Sequence, residues 1–338
     1  MRILVSFKPK EKYDRFEGAR LRKTIKGALE LSNTPYTDDI KDVYDIAHFI
    51  SYQDEALIDR VLAQKIPVVF SALYCEDDMK CALTTYTKVG KETKLAIKKE
   101  ALRVLNKVNV VLTPNEKCKT FLIDNGVKTR IEIVPAAVNI TRFGFLPEVE
   151  KSIFYHYYQE NPDKELAVAL GRFDNLNGVN AFIKAAKLNP DVLFYYFAQD
   201  ALKLSTLIKT MTKSVPSNLK FKKIPTDDVY RSALVNAKTY VYCGYDIIGA
   251  VSLLEAMASK NEIIVRKQEL YDDLLIDGST CHVGEFSETI STLIDDAVKG
   301  KLYPTTEKAF ELAVTYGVDS LSKQLNEIYS NLLTKTEE

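Results

Sequence analysis

The sequence predicts a doubly wound α/β protein built as two successive halves. Three observations carry that expectation. Apolar runs of strand length alternate with stretches of helical period, which is the signature of parallel strands joined by crossover helices. The alternation runs through the chain once and then starts again. Between the two rounds Gly144, Pro147 and Pro162 interrupt the pattern over about 144–162. At 338 residues, with 46% hydrophobic and 27% charged side chains, the chain has the length of two ordinary domains and enough apolar material for two cores.

In the first half, strands are expected at Ile3 to Phe7, Val43 to Phe49, Pro67 to Phe70, Val108 to Leu112 and Ile131 to Val134. Helices are expected over Arg20 to Leu31, Asp54 to Gln64, Lys91 to Lys107 and Glu116 to Asn125. In the second half, strands fall at Leu166 to Leu170, Val192 to Phe197, Leu219 to Lys223, Thr239 to Cys243 and Ile263 to Val265. The helices between them fall at Gly178 to Lys187, Leu202 to Thr212, Asp227 to Asn236 and Ser252 to Ser259, with a last one at about Val318 to Leu333.

Charge and composition narrow the function. Lys+Arg and Asp+Glu both number 46, so no net field draws the chain to nucleic acid, and no nucleic-acid motif is present. Five scattered cysteines without CxxC spacing (Cys75, Cys81, Cys118, Cys243, Cys281) signal neither zinc nor a disulfide framework, which fits a reduced, cytoplasmic setting. The opening apolar run is too short for a signal peptide. No run approaches the roughly 18 apolar residues of a spanning helix.

The residues become specific late in the chain. Tyr245-Asp-Ile-Ile-Gly249-Ala-Val-Ser-Leu-Leu-Glu255-Ala-Met-Ala-Ser259 reads as a loop entering a helix. Free amides at a helix N-terminus, with its dipole, suit a diphosphate, and a carboxylate one turn on can accept from ribose hydroxyls. The segment resembles the nucleotide-sugar signature of retaining GT-B glycosyltransferases of family four. Ala169-Leu-Gly171-Arg172-Phe173 with Asn177-Gly178-Val179, Thr113-Pro114 with Phe121 to Val127, Ile133 to Asn139 and Phe16-Glu-Gly18-Ala-Arg20 match other parts of that pattern. The resemblance spans nearly the whole chain and is nearest to the bacterial branch that adds a second hexose to monoglycosyl-diacylglycerol.

The resemblance implies two Rossmann-like domains facing a cleft. It implies an acceptor- and membrane-facing domain over 1–145, a linker over 146–162 and a nucleotide-sugar domain over 163–310. A C-terminal helix over 311–338 would pack back on the cleft or on the first domain. The donor would be UDP-glucose or UDP-galactose, with no metal or other cofactor. Gly18, Arg172, Asn177, Gly249, Ala250, Val251 and Glu255 would bind it: the amides of 249–251 the phosphate, Arg172 the diphosphate charge, Glu255 the ribose. Asp246 is the candidate to touch the sugar, and Glu76 and Asp78, with Asp77 between them, the candidates near the acceptor.

Three positions depart from the family. The first carboxylate of its paired motif falls at Ile247, with Asp246 adjacent. Asn177 replaces a diphosphate-neutralising Lys, at a cost of about 1–2 kcal/mol of charge-assisted bonding. Phe70 to Tyr74 lacks the family's His. An active transferase using substitute groups and a degenerate homologue serving as a partner subunit both accommodate these changes.

Outside that pattern, His48 is read as a structural histidine ahead of a site residue, His156 as packing in the Phe154 to Tyr158 aromatic run, and His282 as too isolated for metal. Lys88 to Lys107 reads as a basic amphipathic helix. Either it is a solvated face, or Lys91, Lys94, Lys98 and Arg103 dock on anionic lipid at the inner face of the cell membrane, each adding about 1 kcal/mol. A second basic stretch runs from Lys203 to Lys223.

Overall fold

The computed structural model describes residues 1–7, 17–50, 54–74, 83–89, 92–171, 179–198, 215–242 and 250–334, with the side chains of 86–89 and 92–93 excepted. The chain divides into two compact units. The first comprises Met1–Ala137, Gly249–Val251 and Tyr316–Glu338, and the second Val138–Ile248 and Ser252–Thr315.

Among the described residues, the first unit holds a six-stranded parallel sheet made of β1 (Ile3–Ser6), β2 (Tyr36–Thr37), β3 (Ile46–Ile50), β4 (Val68–Ser71), β7 (Val110–Thr113) and β8 (Ile131–Ile133). Their order is β2-β1-β3-β4-β7-β8. Every residue of β3, β4 and β7 is buried, which is why these strands read as unbroken apolar runs rather than alternations. Helices α1 (Glu17–Leu31), α2 (Glu55–Ala63), α3 (Lys99–Leu105) and α4 (Glu116–Asp124) connect them. Asp54 caps α2 by accepting from the Ala56 amide at 3.0 Å, and Asn115 caps α4 through the Cys118 amide at 2.8 Å. After α4, Gly126 takes φ +92° and turns the chain toward β8.

The helix expected from Lys91 onward is replaced by an antiparallel hairpin of β5 (Thr84–Val89) and β6 (Glu92–Ile97), with helix only from Lys99. The reason is visible in the periods. Leu95 and Ile97 lie two residues apart in a segment rich in Thr, Tyr and Val, as a strand requires. Ala101, Val104 and Leu105 recur at three and four, and they are the residues α3 buries. The basic stretch therefore spans two elements of different period.

The C-terminal helix Val318–Thr334 belongs to the first unit. Val318, Leu321, Leu325, Tyr329 and Leu332 form its buried stripe and share a core with β1 and α1. Ser322 Oγ donates to the Ala28 carbonyl at 2.7 Å, and Thr34 Oγ1 donates to Asn326 Oδ1 at 3.1 Å.

The second unit contains a six-stranded parallel sheet of β9 (Leu166–Leu170), β10 (Leu193–Ala198), β11 (Leu219–Lys223), β12 (Ala237–Tyr242), β13 (Glu262–Arg266) and β14 (His282–Gly284). The order is β11-β10-β9-β12-β13-β14. On one face Phe194, Tyr196 and Ala198 pack with the helix Val179–Leu188 and the helix Ser287–Val298. The alternate residues Tyr195 and Phe197 meet Phe154, Tyr158 and Tyr230 on the other face. The stretch expected as a linker, 146–162, carries the short helices at Glu148–Lys151 and Ile153–Tyr158. They pack on the helix Asp227–Asn236: buried Ser232 Oγ donates to the Lys151 carbonyl at 2.7 Å and accepts the Phe154 amide at 2.9 Å.

Candidate functional site

Numbered within the second unit, the strand order is 3-2-1-4-5-6, so it reverses between β9 and β12. Open α/β sheets bind ligands beyond the carboxyl ends of the strands at such a reversal. Residues 172–178 follow β9 along the chain and 243–249 follow β12. They carry Arg172, Asn177, Asp246, Ile247 and Gly249, all outside the described residues, as are Glu76, Asp77 and Asp78. The described part of the predicted donor set is Gly18, Ala250, Val251 and Glu255.

The signature Leu-Glu-Ala-Met-Ala lies within the helix Ala250–Ala258. Leu253, Leu254, Ala256, Met257 and Ala258 are buried almost completely, so the helix is apolar on nearly every side and its position is set by packing. Glu255 is its one charged residue and is only 6% exposed. A carboxylate so placed has to be partnered, and it stands four residues after Val251, on the same side of the helix. Its carbonyl accepts both the amide and the hydroxyl of Ser259, at 3.1 and 3.0 Å.

The amide of Val251, expected to face a phosphate, donates to Glu17 Oε1 at 2.6 Å. Glu17 and Val251 both belong to the first unit. Glu17 opens α1 and is 4% exposed. The first sheet reverses its order between β1 and β3, and α1 is the crossover that follows β1. In Phe16-Glu17-Gly18 the family resemblance points to the glycine and leaves Glu17 unmarked. An acid in the first turn of the helix after the first strand is the signal that marks it.

Gly18 is buried against Phe7: a Cβ built there would fall well inside contact distance of the ring, with Cδ2 at 3.0 Å. The glycine therefore lets the start of α1 lie against the end of β1.

His48 is a core residue. Its Nδ1 lies 2.7 Å from the Tyr329 hydroxyl and its Nε2 2.7 Å from Ser71 Oγ. Complete burial lowers its pKa to about 3, so the ring is neutral. Tyr74, in the stretch that lacks the family's His, bonds to Thr113 Oγ1 at 2.6 Å and donates to the Cys118 carbonyl at 3.1 Å. His156, read as packing, is exposed. Its short helix turns Phe154 and Tyr155 inward, and the helical period leaves His156 and Tyr157 facing out. His282 Nε2 sits 3.4 Å from Glu262 Oε2. Among the described residues no three His, Cys, Asp or Glu side chains could hold a metal together.

The basic patch is divided by the hairpin. Lys94 is on β6, Lys98 precedes α3, and Arg103 is on α3, where its Nε donates to Glu55 at 3.1 Å. Lys107 pairs with Glu55 at 2.7 Å and Asp59 at 2.9 Å. Hydrogen bonds from Lys107 and Arg103 hold the Glu55 carboxyl below its usual range. Lys91 lies outside the described residues. In the second basic stretch Lys220, Lys222 and Lys223 are on β11, with Lys222 Nζ 5.6 Å from the centre of the Tyr158 ring. No described helix is long and apolar enough to cross a membrane.

No family model matches the sequence. The chain is 21% identical over 313 residues to the processive diacylglycerol alpha-glucosyltransferase of Acholeplasma laidlawii, covering 91% of each protein. Anabaena HepE, crystallised with UDP and glucose, is similar at a TM-score of 0.70 and 14% identity, over 98% of this chain and 100% of that one. Sucrose-phosphate synthase of Thermosynechococcus elongatus is similar at 0.67 and 14% identity, over 97% of this chain and 81% of that one. The chain thus has the GT-B fold of two Rossmann-like domains.

Proposed function

We propose that the protein is a retaining, metal-independent hexosyltransferase that moves glucose or galactose from UDP to a membrane glycolipid of the monoglycosyl-diacylglycerol type. The observation that carries this reading is the reversal of strand order between β9 and β12. The chain leaves one of those strands into Arg172 and Asn177 and the other into Asp246 and the Ala250–Ala258 helix. The likeness to a diacylglycerol glucosyltransferase and to a protein crystallised with UDP and glucose supports it.

In this reading the amides opening the helix hold phosphate, Arg172 offsets its charge as the leaving group departs, and Glu255 accepts from the ribose. Asp246 touches the sugar, Glu76 and Asp78 stand near the acceptor, and Lys94, Lys98 and Arg103 favour the anionic inner face of the cell membrane. The test is calorimetry with UDP, UDP-glucose and UDP-galactose, run beside a transfer assay on vesicles carrying monoglucosyl-diacylglycerol. Binding, with retained anomeric configuration in the product, is expected. Glu255→Ala should weaken UDP by about tenfold, the worth of one charged hydrogen-bond partner. A chain that binds no nucleotide overturns the reading.

Asn177 and Ile247, where the family pattern has Lys and Glu, favour a second reading: a homologue without turnover that supports another transferase. It requires nucleotide binding or none, but no transfer at any donor concentration, and copurification with an active enzyme.

A further inference from the structure

The Val251 amide already has an acceptor, and that acceptor is a carboxyl oxygen of the chain itself. The Glu17 carboxyl group, 96% buried, takes this hydrogen bond at 2.6 Å, at the short end for an N–H donor, as a bond to a charged acceptor would be. Glu17 also lies in the first turn of α1, where the helix dipole favours a negative charge. Gly18 lets that turn lie against Phe7, and the turn follows β1, beside the strand-order reversal of the first sheet. The amide and the start of α1 thus define a place suited to an anionic oxygen, and Glu17 fills it.

We infer that Glu17 is an intramolecular anion that occupies the phosphate-binding amide, and that a nucleoside diphosphate binds by displacing it, so that Glu17 sets the affinity of the site. The inference rests on the nucleotide-sugar reading above. A carboxylate oxygen and a phosphate oxygen cannot share one N–H at hydrogen-bond distance without like-charge repulsion. Without nucleotide, Glu17 keeps a buried amide satisfied. With it, the diphosphate's larger charge and its further contacts must outweigh the bond that Glu17 gives up. The same competition disfavours small anions that offer only a single oxygen to the amide.

The test is calorimetry of the full chain with UDP at fixed pH and salt, comparing wild type, Glu17→Gln and Glu17→Ala, each checked for folding by circular dichroism. Gln keeps the shape and an acceptor oxygen but loses the charge. Tightening of UDP by at least about fivefold in Glu17→Gln, with a change in the same direction in Glu17→Ala, is the expected result, since a charged hydrogen bond outweighs a neutral one by that order. Equal or weaker binding in both variants overturns the inference and leaves the nucleotide site standing. Absence of UDP binding in all three chains overturns both. A measurement on the unaltered protein is independent of variant folding: on saturation with UDP, the Val251 amide and the Glu17 side-chain carboxyl resonances should shift together. A Glu17 carboxyl unmoved by UDP overturns the inference.

Discussion

His48 makes the stability of this protein depend on pH in a way that can be calculated. The imidazole is fully buried between Tyr329 and Ser71, and burial lowers its pKa from 6.5 to about 3. A lowered pKa in the folded state means that the unfolded chain binds the proton first. Stability is therefore complete above about pH 6.5 and is lost as pH falls toward 3. Integrated from pH 8 to pH 5, this one residue removes about 2 kcal/mol, a substantial part of the roughly 5–15 kcal/mol typical of folded proteins.

The assay is urea unfolding at several pH values between 8 and 5 for wild type and His48→Asn. The variant loses about 1–3 kcal/mol at pH 8, because a buried hydroxyl loses its partner. Its stability should then fall by about 2 kcal/mol less than wild type over the same range, since all other titrating groups are common to both. Equal pH slopes would refute the reasoning, as would an imidazole proton signal that titrates near pH 6.5.

Three further outcomes follow from named contacts. Gly18→Ala should be destabilising by about 1–3 kcal/mol through overpacking against Phe7, partly offset by the roughly 1 kcal/mol that Ala gains over Gly in a helix; thermal melts of Gly18→Ala alone and with Phe7→Leu should show non-additive effects, with the double variant recovering stability. Ser232→Ala strips the Lys151 carbonyl of a donor and the Phe154 amide of its acceptor, and should cost about 1–3 kcal/mol in chemical denaturation of the second unit. If Lys94 and Lys98 meet anionic lipid, replacing both with Glu should reduce sedimentation with phosphatidylglycerol vesicles by at least about tenfold at low salt and leave UDP affinity unchanged; unchanged vesicle binding removes the hairpin and the start of α3 from the membrane surface.

Much of this architecture is local in origin and is legible in the sequence. The parallel strands announce themselves because burial on both faces demands continuous apolar runs such as Val68 to Phe70 and Leu166 to Leu170. The helix Val318–Thr334 is legible from its apolar stripe and Ala250–Ala258 from its Leu-Glu-Ala-Met-Ala segment. The hairpin β5–β6 was hidden because basic residues run across both it and α3, so charge suggested one element where the spacing of Leu95 and Ile97 already said strand. The short helices over 148–158 were hidden by the prolines flanking them.

What the sequence determined by itself was therefore the kind of fold, its two parallel sheets and the residue types available to bind a diphosphate, because period and propensity act over neighbouring positions. Which residues meet across long separations was decided only by the tertiary structure. His48 finds Tyr329 across 281 positions and Val251 finds Glu17 across 234. A hydrogen bond between such residues leaves no period in either segment. It exists because sheets and helices packed for apolar burial bring those polar atoms within reach, where each must find a partner or bear the loss of water.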